Sequence, residues 1–315
     1  SVYPSVENRL EAAEQLRRTD VEQLHYKSNI LQVGTFHCPP TYPLFHTAGK
    51  IHGYVLAFPR TSVYIQYAQH KQPIVADPNV VMLYNPGQDY ERKQLSELGD
   101  ISDWFAFKPQ VVREVIKPYD PYVAEREKEL FLFSHGPSTA EVYFLHRLVQ
   151  QMARLPQRDT LFIEETLQNV LERIVAFTYQ VHGERREPAR PSTARQHREL
   201  ADATKALIAQ QYAADLSLDE IAQTLYTSTY HLCRVFRQQT GQTIHNYRNQ
   251  MRLRVSLDIV AATTFHLTDI ALSLGYANHS HFTTTFRNTF GISPSTWRET
   301  ASLKQLREMG QIVSS

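Results

Sequence analysis

Residues 217–247 read SLDEIAQTLYTSTYHLCRVFRQQTGQTIHNY, and residues 266–297 read HLTDIALSLGYANHSHFTTTFRNTFGISPSTW. The two stretches are copies of one pattern. Ile221, Ala222, Leu225, Leu232, Phe236, Gly241 and Tyr247 return as Ile270, Ala271, Leu274, Phe282, Phe286, Gly291 and Trp297. The offset is 49 residues ahead of the turn around Gly275-Tyr276 and 50 after it, so the extra residue falls where an insertion costs least. Two copies are too few for a solenoid array, whose units need several neighbours to bury a shared core.

Each copy reads as helix, turn, helix. In the first, Ser217 with Glu220 three positions later forms a capping box, and the helix it opens buries Ile221, Ala222 and Leu225. Ser228 is a natural N-cap for a second helix over 228–239, which buries Leu232, Val235 and Phe236. Its other face presents Tyr230, His231, Cys233, Arg234 and Arg237. In the second copy Asn278 is the cap of a helix over 279–289 that buries Phe282 and Phe286, while His279, Ser280, His281, Thr283, Thr284 and Arg287 point outward. His266 stands where the first copy has Ser217, so this entry helix is less strongly capped. Ser293-Pro294 starts a further helix, with backbone N–H groups able to hold a phosphate. Leu253, Leu257 and Val260 stripe a longer helix, 244–262, that fixes the spacing of the copies.

Charge placement decides what these helices are for. From Ile221 through Leu257 there is no Asp or Glu, and Arg234, Arg237, Arg248, Arg252 and Arg254 are present. From Ile270 through Arg298 there is again none, with Arg287 and Arg298 supplying positive charge. A chain of net charge +1 thus offers two acid-free faces to a polyanion. A module for binding other proteins through repeated helices does not explain why acids avoid both second helices.

These residues resemble a known family. Ile221-Ala222, Ser228, Leu232-Cys233-Arg234-Val235-Phe236, Gly241, Tyr247 and Arg252-Leu253 look like the first half of the AraC/XylS-type DNA-binding domain. Ile270-Ala271, Gly275-Tyr276, Ser280-His281-Phe282, Phe286-Arg287, Phe290-Gly291-Ile292-Ser293-Pro294 and Trp297-Arg298 look like its second half. The resemblance implies a transcription factor of the bacterial cytoplasm and nucleoid, with double-stranded DNA and RNA polymerase as partners. Two recognition helices would enter successive major grooves about 34–36 Å apart. It places Tyr230, His231, Cys233 and Arg234 at base edges, with Arg234 able to grip a guanine and Tyr230 to pack on a thymine methyl. The matching positions of the second helix are His279, Ser280, His281, Thr283 and Thr284. Thr284 departs from the Arg that many members carry, so the second half-site is expected to be read more by thymine methyls and shape. Arg237, Arg248, Arg252, Arg287 and Arg298 are phosphate or scaffold residues, Arg252 being a candidate for internal pairing.

Upstream the texture changes. Residues 28–36, 54–58, 63–67, 80–84 and 104–107 are short runs rich in Val, Ile, Tyr and Phe. Pro39-Pro40, Ala48-Gly49, Asp77-Pro78-Asn79, Asn85-Pro86-Gly87 and Gly99-Asp100 separate them, the signature of a β barrel or sandwich that can hold a small ligand. The stretch 130–133 closes the sheet or belongs to a loop. Strands followed by two helices are similar to the cupin-like sensory and dimerisation domain of many AraC/XylS members. The fold class expected is therefore α+β in two domains: a cupin-like β-barrel with two C-terminal helices, then an all-α domain with two helix-turn-helix motifs. The boundaries are 1–137 for the β domain, 138–182 for the helical pair, 183–195 for a linker rich in charge with Gly183, Pro188 and Pro191, and 196–307 for the DNA-binding domain. Tyr54, Phe58, Tyr64, Tyr67, Tyr84 and Trp104 are candidates to line an effector pocket or are plain core. Ile163, Leu167, Val170, Ile174, Phe177 and Val181 alternate in steps of four and three. So narrow a stripe suits a helix laid across the β domain or, by our preference, a seam between two protomers of a homodimer.

Composition closes other routes. At 315 residues, 42% apolar and 21% charged, the chain has about two domains' worth of core and is neither disordered nor a disulfide framework. Cys38 and Cys233 alone make no disulfide scaffold or thiolate zinc site and fit a reducing compartment. No apolar run reaches the roughly 20 residues of a membrane helix, and no basic-then-apolar leader is visible, though residue 1 is Ser and leaves room for a removed one. A metal-dependent cupin enzyme would draw on His37, His46, His52 and His70, which lack the close His-x-His and later Glu spacing of such sites; Cys38 beside His37 does not supply one. No cofactor, metal or catalytic residue is expected.

Overall fold

The computed structural model describes residues 21–47, 51–68, 72–184, 190–300 and 302–314. The turn at Ala48-Gly49, His70 and linker residues 185–189 lie outside them. The chain divides into two compact units: residues up to Tyr179 together with those after Thr300, and Gln180–Thr300.

Among the described residues the first unit has nine strands: β1 (Glu22–Lys27), β2 (Leu31–Cys38), β3 (Tyr54–Pro59), β4 (Val63–Tyr67), β5 (Ile74–Ala76), β6 (Val80–Tyr84), β7 (Tyr90–Gln94), β8 (Asp100–Phe107) and β9 (His135–Pro137). They form a six-stranded sheet, β1-β2-β8-β3-β6-β9, and a three-stranded sheet, β5-β4-β7. Of the barrel and sandwich open to the sequence, two separate sheets are what the pairing gives. Residues 130–133 are loop; the last strand of the larger sheet is β9, where Val80 pairs Pro137 and Met82 pairs His135.

Strand β8 is central, antiparallel to β2 from Leu31↔Phe107 to Cys38↔Asp100 and to β3 from Tyr54↔Phe107 to Pro59↔Ser102. Period-two alternation gives it two chemistries. Ser102, Trp104 and Ala106 line a cavity, whereas Asp103 and Phe105 are fully buried on the opposite face. Gly34 has to be glycine, because a Cβ there would collide with the Trp104 indole.

Against that second face lies the helix that carries His146 and Arg147. A short α1 (Pro109–Ile116) is followed by α2 (Ala140–Arg154) and α3 (Thr160–Glu184). Helix α2 starts at Thr139, whose hydroxyl accepts from the Val142 N–H, and it buries eleven of its residues, polar ones included. His146 stacks on Phe58 at 4.2 Å and bonds Asp103 at 3.0 Å; Arg147 reaches the same carboxylate at 2.5 Å, and Gln150 donates to the Gly34 carbonyl.

The α3 stripe is covered by its own chain. Ile163, Leu167, Val170 and Ile174 are wholly buried and Phe177 half-buried. The helix is fastened to its unit by Tyr26 donating to Glu164, by Arg173 paired with Glu141 of α2, and by Tyr179 against Phe133 and Tyr119. Ile163, Leu167, Val170 and Ile174 thus pack within one chain, as the alternative of a helix laid across the β domain requires, and a surface already desolvated has little further to bury against a partner. The C-terminus returns to this unit ahead of residue 307, the expected end of the DNA-binding domain: α11 (Leu303–Ser314) packs on α2 and pairs Arg307 with Asp159, whose carboxylate also accepts from the Phe162 N–H at the start of α3.

The second unit is helical: α4 (Pro191–Gln211), α5 (Leu218–Thr224), α6 (Thr229–Thr240), α7 (Ile244–Ala262), α8 (Leu267–Ser273), α9 (His279–Phe290) and α10 (Pro294–Glu299). Its first copy closes round Ala201, Ile208, Ile221, Ala222, Leu232, Phe236, Ile244, Tyr247 and Met251. Trp297 is buried in the second copy and donates from Nε1 to the Leu257 carbonyl of α7 at 2.9 Å.

Candidate nucleic-acid interface

The two copies share the cap and the stop of their second helices and differ at the entry helix. The entry helix α5 has its capping box: the Glu220 N–H donates to Ser217 Oγ at 3.2 Å and the Ser217 N–H to the Glu220 carboxylate at 2.7 Å. Helix α8 begins at His266 with no side-chain cap bond. Each second helix is capped by a side-chain oxygen that accepts from the backbone N–H three residues on, Ser228 from His231 and Asn278 from His281. Each ends on a glycine with positive φ, Gly241 at 76° and Gly291 at 77°, whose N–H donates to Arg237 or Arg287.

This capping fixes what α6 and α9 show outward. On α6, Leu232, Val235 and Phe236 are buried, while Tyr230, Arg234 and Arg237 are exposed. His231 is half-buried; its ring lies edge-on to His197 of α4 at 5.7 Å, and Arg234 Nη2 sits 3.4 Å from its Nδ1. Burial and the neighbouring His231 and Arg234 hold His197 below the ordinary histidine value. Cys233 is half-buried against the core of the copy, so of the residues expected at base edges it is the least available. On α9, Phe282, Phe286 and Phe290 are buried. Ser280, His281, Thr284 and Arg287 are exposed, and His279 and Thr283 are half-buried and bonded to each other at 3.2 Å.

The five arginines divide. Arg237 and Arg287 are exposed at the C-terminal ends of the two reading helices. Arg248 donates to the Leu216 carbonyl, and Arg298 to those of Val260 and Phe265. Arg252 donates to Tyr212, Ala214 and Gly275, tying the turn of the second copy to the end of α4. These three make the bonds that the scaffold alternative calls for: their donors hold the backbone of the unit itself. His197 was not visible as a contributor in the sequence, because nothing in the α4 pattern marks one polar residue among many as the one facing α6.

Two like helix-turn-helix modules bridged by α7, with acid-free second helices, define a double helix-turn-helix DNA-binding domain. A family model described as a helix-turn-helix domain matches residues 221–300. The Msm operon regulatory protein of Streptococcus mutans is 32% identical over 95 residues, covering 30% of this chain and 34% of that protein. The HTH-type transcriptional activator RhaS of Escherichia coli is 32% identical over 94 residues, covering 30% and 34%. A solved transcriptional regulator from Chromobacterium violaceum, of the AraC-type DNA-binding domain class, is 28% identical with a TM-score of 0.31 and covers 35% of this chain and 97% of its own. The chain carries a helix-turn-helix domain similar to those of these transcriptional regulators. It spans about a third of the length of the two relatives.

In the first unit a cavity of about 760 Å³ opens between the two sheets. Tyr54, Tyr84 and Trp104 line it together with Val55, Ala57, Ile65, Met82 and Asp100. Phe58, Tyr64 and Tyr67 are not in its wall: Phe58 faces α2, and Tyr67 packs behind Tyr84 and Tyr90. Small inward residues, Gly53, Ala57, Ala76, Ser102 and Ala106, leave the space open. Among the described residues no three His, Cys, Asp or Glu side chains gather as a metal site, and no helix is long and apolar enough to cross a membrane. His46 bonds the Arg92 carbonyl, and His37 and His52 are exposed.

Proposed function

We propose that this protein is an effector-responsive transcription regulator that reads two successive major grooves of DNA with α6 and α9. The observation that carries the reading is the pair of capped helices of equal length whose outward residues include Arg234, Arg237 and Arg287 and no carboxylate. A helix of this kind places its first turns in the major groove, with phosphate contacts fixing its register. On this reading Tyr230, His231 and Arg234 face one half-site, Ser280, His281 and Thr284 the other, and Arg237 and Arg287 meet phosphates. The first unit then serves as a cupin-like sensor, its cavity of a size suited to a small molecule. RNA polymerase and a second copy of the chain are the further partners that the family resemblance implies.

Selection of binding sites from a random duplex pool tests this. The expected outcome is a bipartite site whose halves lie about 10–10.5 base pairs apart centre to centre, the first richer in guanine. A single enriched half, or no enrichment at all, overturns the two-groove reading.

A further inference from the structure

The turn that leads into the first reading helix carries a side chain that the second copy does without. Tyr226 and Gly275 occupy the same place. The residue after each closes the turn with a 3.0 Å bond, Thr227 to Ala222 and Tyr276 to Ala271, and Tyr226 and Gly275 themselves donate to Gln223 and Leu272 at 3.2 and 3.0 Å. Both have positive φ, 54° and 82°, and among the described residues Tyr226 is the one non-glycine that does. A bulky side chain is disfavoured in that conformation. The second copy obeys the rule for a visible reason, because a Cβ at Gly275 would run into the Ala213 carbonyl and the Arg252 guanidinium. Over the first turn no such cover exists, and Tyr226 is 98% exposed. Its ring gains no packing from its own chain to offset the backbone it occupies.

The docking geometry of a helix-turn-helix says where an outside contact would lie. The first helix crosses the sugar–phosphate strand and the second enters the groove by its N-terminus. The turn between them therefore sits at the groove edge. Tyr226 stands two residues ahead of Ser228, the cap of α6, and four ahead of Tyr230, itself 80% exposed. The sequence has no carboxylate from Ile221 to Leu257, and the nearby Asp219 of α5 accepts from the Thr229 hydroxyl at the start of α6. A tyrosine supplies a flat apolar face to lie on a deoxyribose and a hydroxyl to donate to a phosphate oxygen. We propose that Tyr226 is a sequence-independent contact to the DNA backbone, made by the first helix-turn-helix and absent from the second. It rests on the DNA-binding reading above.

The test uses the full chain, fluorescence anisotropy and two duplexes, one of random sequence and one carrying the selected bipartite site. Tyr226→Gly relieves the backbone, so its Tm should not fall, while affinity for both duplexes should weaken about fivefold, the worth of one such contact. The salt dependence should keep its slope, because no charge is removed. Tyr226→Phe, which keeps the ring and loses the hydroxyl, should fall between. Unchanged affinity of Tyr226→Gly overturns the proposal. So does a loss confined to the selected site, which would mark a base contact, or a lowered Tm, which would mark a role inside the fold. A wild-type chain that binds neither duplex removes the DNA-binding reading and this contact with it.

Discussion

Arg298 holds the carbonyl of Phe265 at 2.8 Å. The bond has a twin in the first copy, where Arg248 holds the carbonyl of Leu216 at 2.8 Å. Each arginine follows the large aromatic that closes its copy, Trp297 or Tyr247, and each acceptor is the residue immediately before the cap of the entry helix. The internal repeat therefore extends to a guanidinium that pins the start of one helix to the end of the module.

Arg298→Ala should accordingly behave as a folding defect. Two carbonyls lose a charged donor, and hydrogen bonds to charged groups contribute about 1.5–3 kcal/mol, less for an arginine that is half exposed as this one is. The expected result in thermal unfolding is a lowered Tm, with more effect than Arg248→Ala because α8 has no side-chain cap of its own. The slope of log affinity against log salt should stay at the wild-type value. A slope reduced by about 0.9 would return Arg298 to the phosphate contacts.

Arg234 and Arg237 lie one turn apart on α6 and should separate by the same measurement. Arg234→Ala should weaken the selected site by about 1–3 kcal/mol and leave random-sequence binding nearly unchanged, as loss of a guanine contact would. Arg237→Ala should weaken both duplexes alike and reduce the salt slope by about 0.9. Equal losses on both duplexes for Arg234→Ala would make it a second phosphate contact.

The second unit was legible in the sequence because its signals are local. A capping box, two caps, two C-terminal glycines and a repeated apolar stripe place α5 to α9 to within a residue or so. What those signals do not contain is direction across the fold, so Arg248, Arg252 and Arg298 could not be told from surface arginines. The first unit was less legible for a different reason. Strands β5 and β9 are three residues long, and β7, YERKQ, turns Glu91 and Lys93 to solvent and buries the charged Arg92, so none leaves an apolar alternation. The α3 stripe was visible, but a 4-3 spacing has the same appearance whether its partner is another chain or its own sheet.

That stripe supports a direct substitution. Ile174 is fully buried, so Ile174→Glu places a carboxylate among apolar groups with no partner. The expected outcome is an unfolded or aggregated first unit, and Ile174→Ala should cost about 2–5 kcal/mol. Sedimentation of a soluble, well-folded Ile174→Glu monomer from a dimeric wild type would restore the seam between protomers.

The buried cluster between β8 and α2 predicts how stability depends on pH. Burial alone would raise the Asp103 carboxyl, but Arg147, Arg60 and the bond from His146 outweigh it and hold it well below the usual carboxylate range. Burial pushes His146 down to about 4, against the opposing pull of Asp103. Both groups thus bind a proton more weakly folded than unfolded. As pH falls below the ordinary histidine value of about 6.5, the unfolded chain takes up a proton at His146 that the folded chain refuses until about 4. Unfolding is favoured throughout that window by the linkage of one proton, and Asp103 adds its own loss below about pH 4. Denaturant midpoints measured from pH 7 down to 4.5 should therefore decline for the wild type. In His146→Gln, which keeps a donor for Asp103 and cannot titrate, the decline over this range should be shallower even if the variant is less stable at neutral pH. Parallel curves for the two proteins would remove His146 as the source of the dependence.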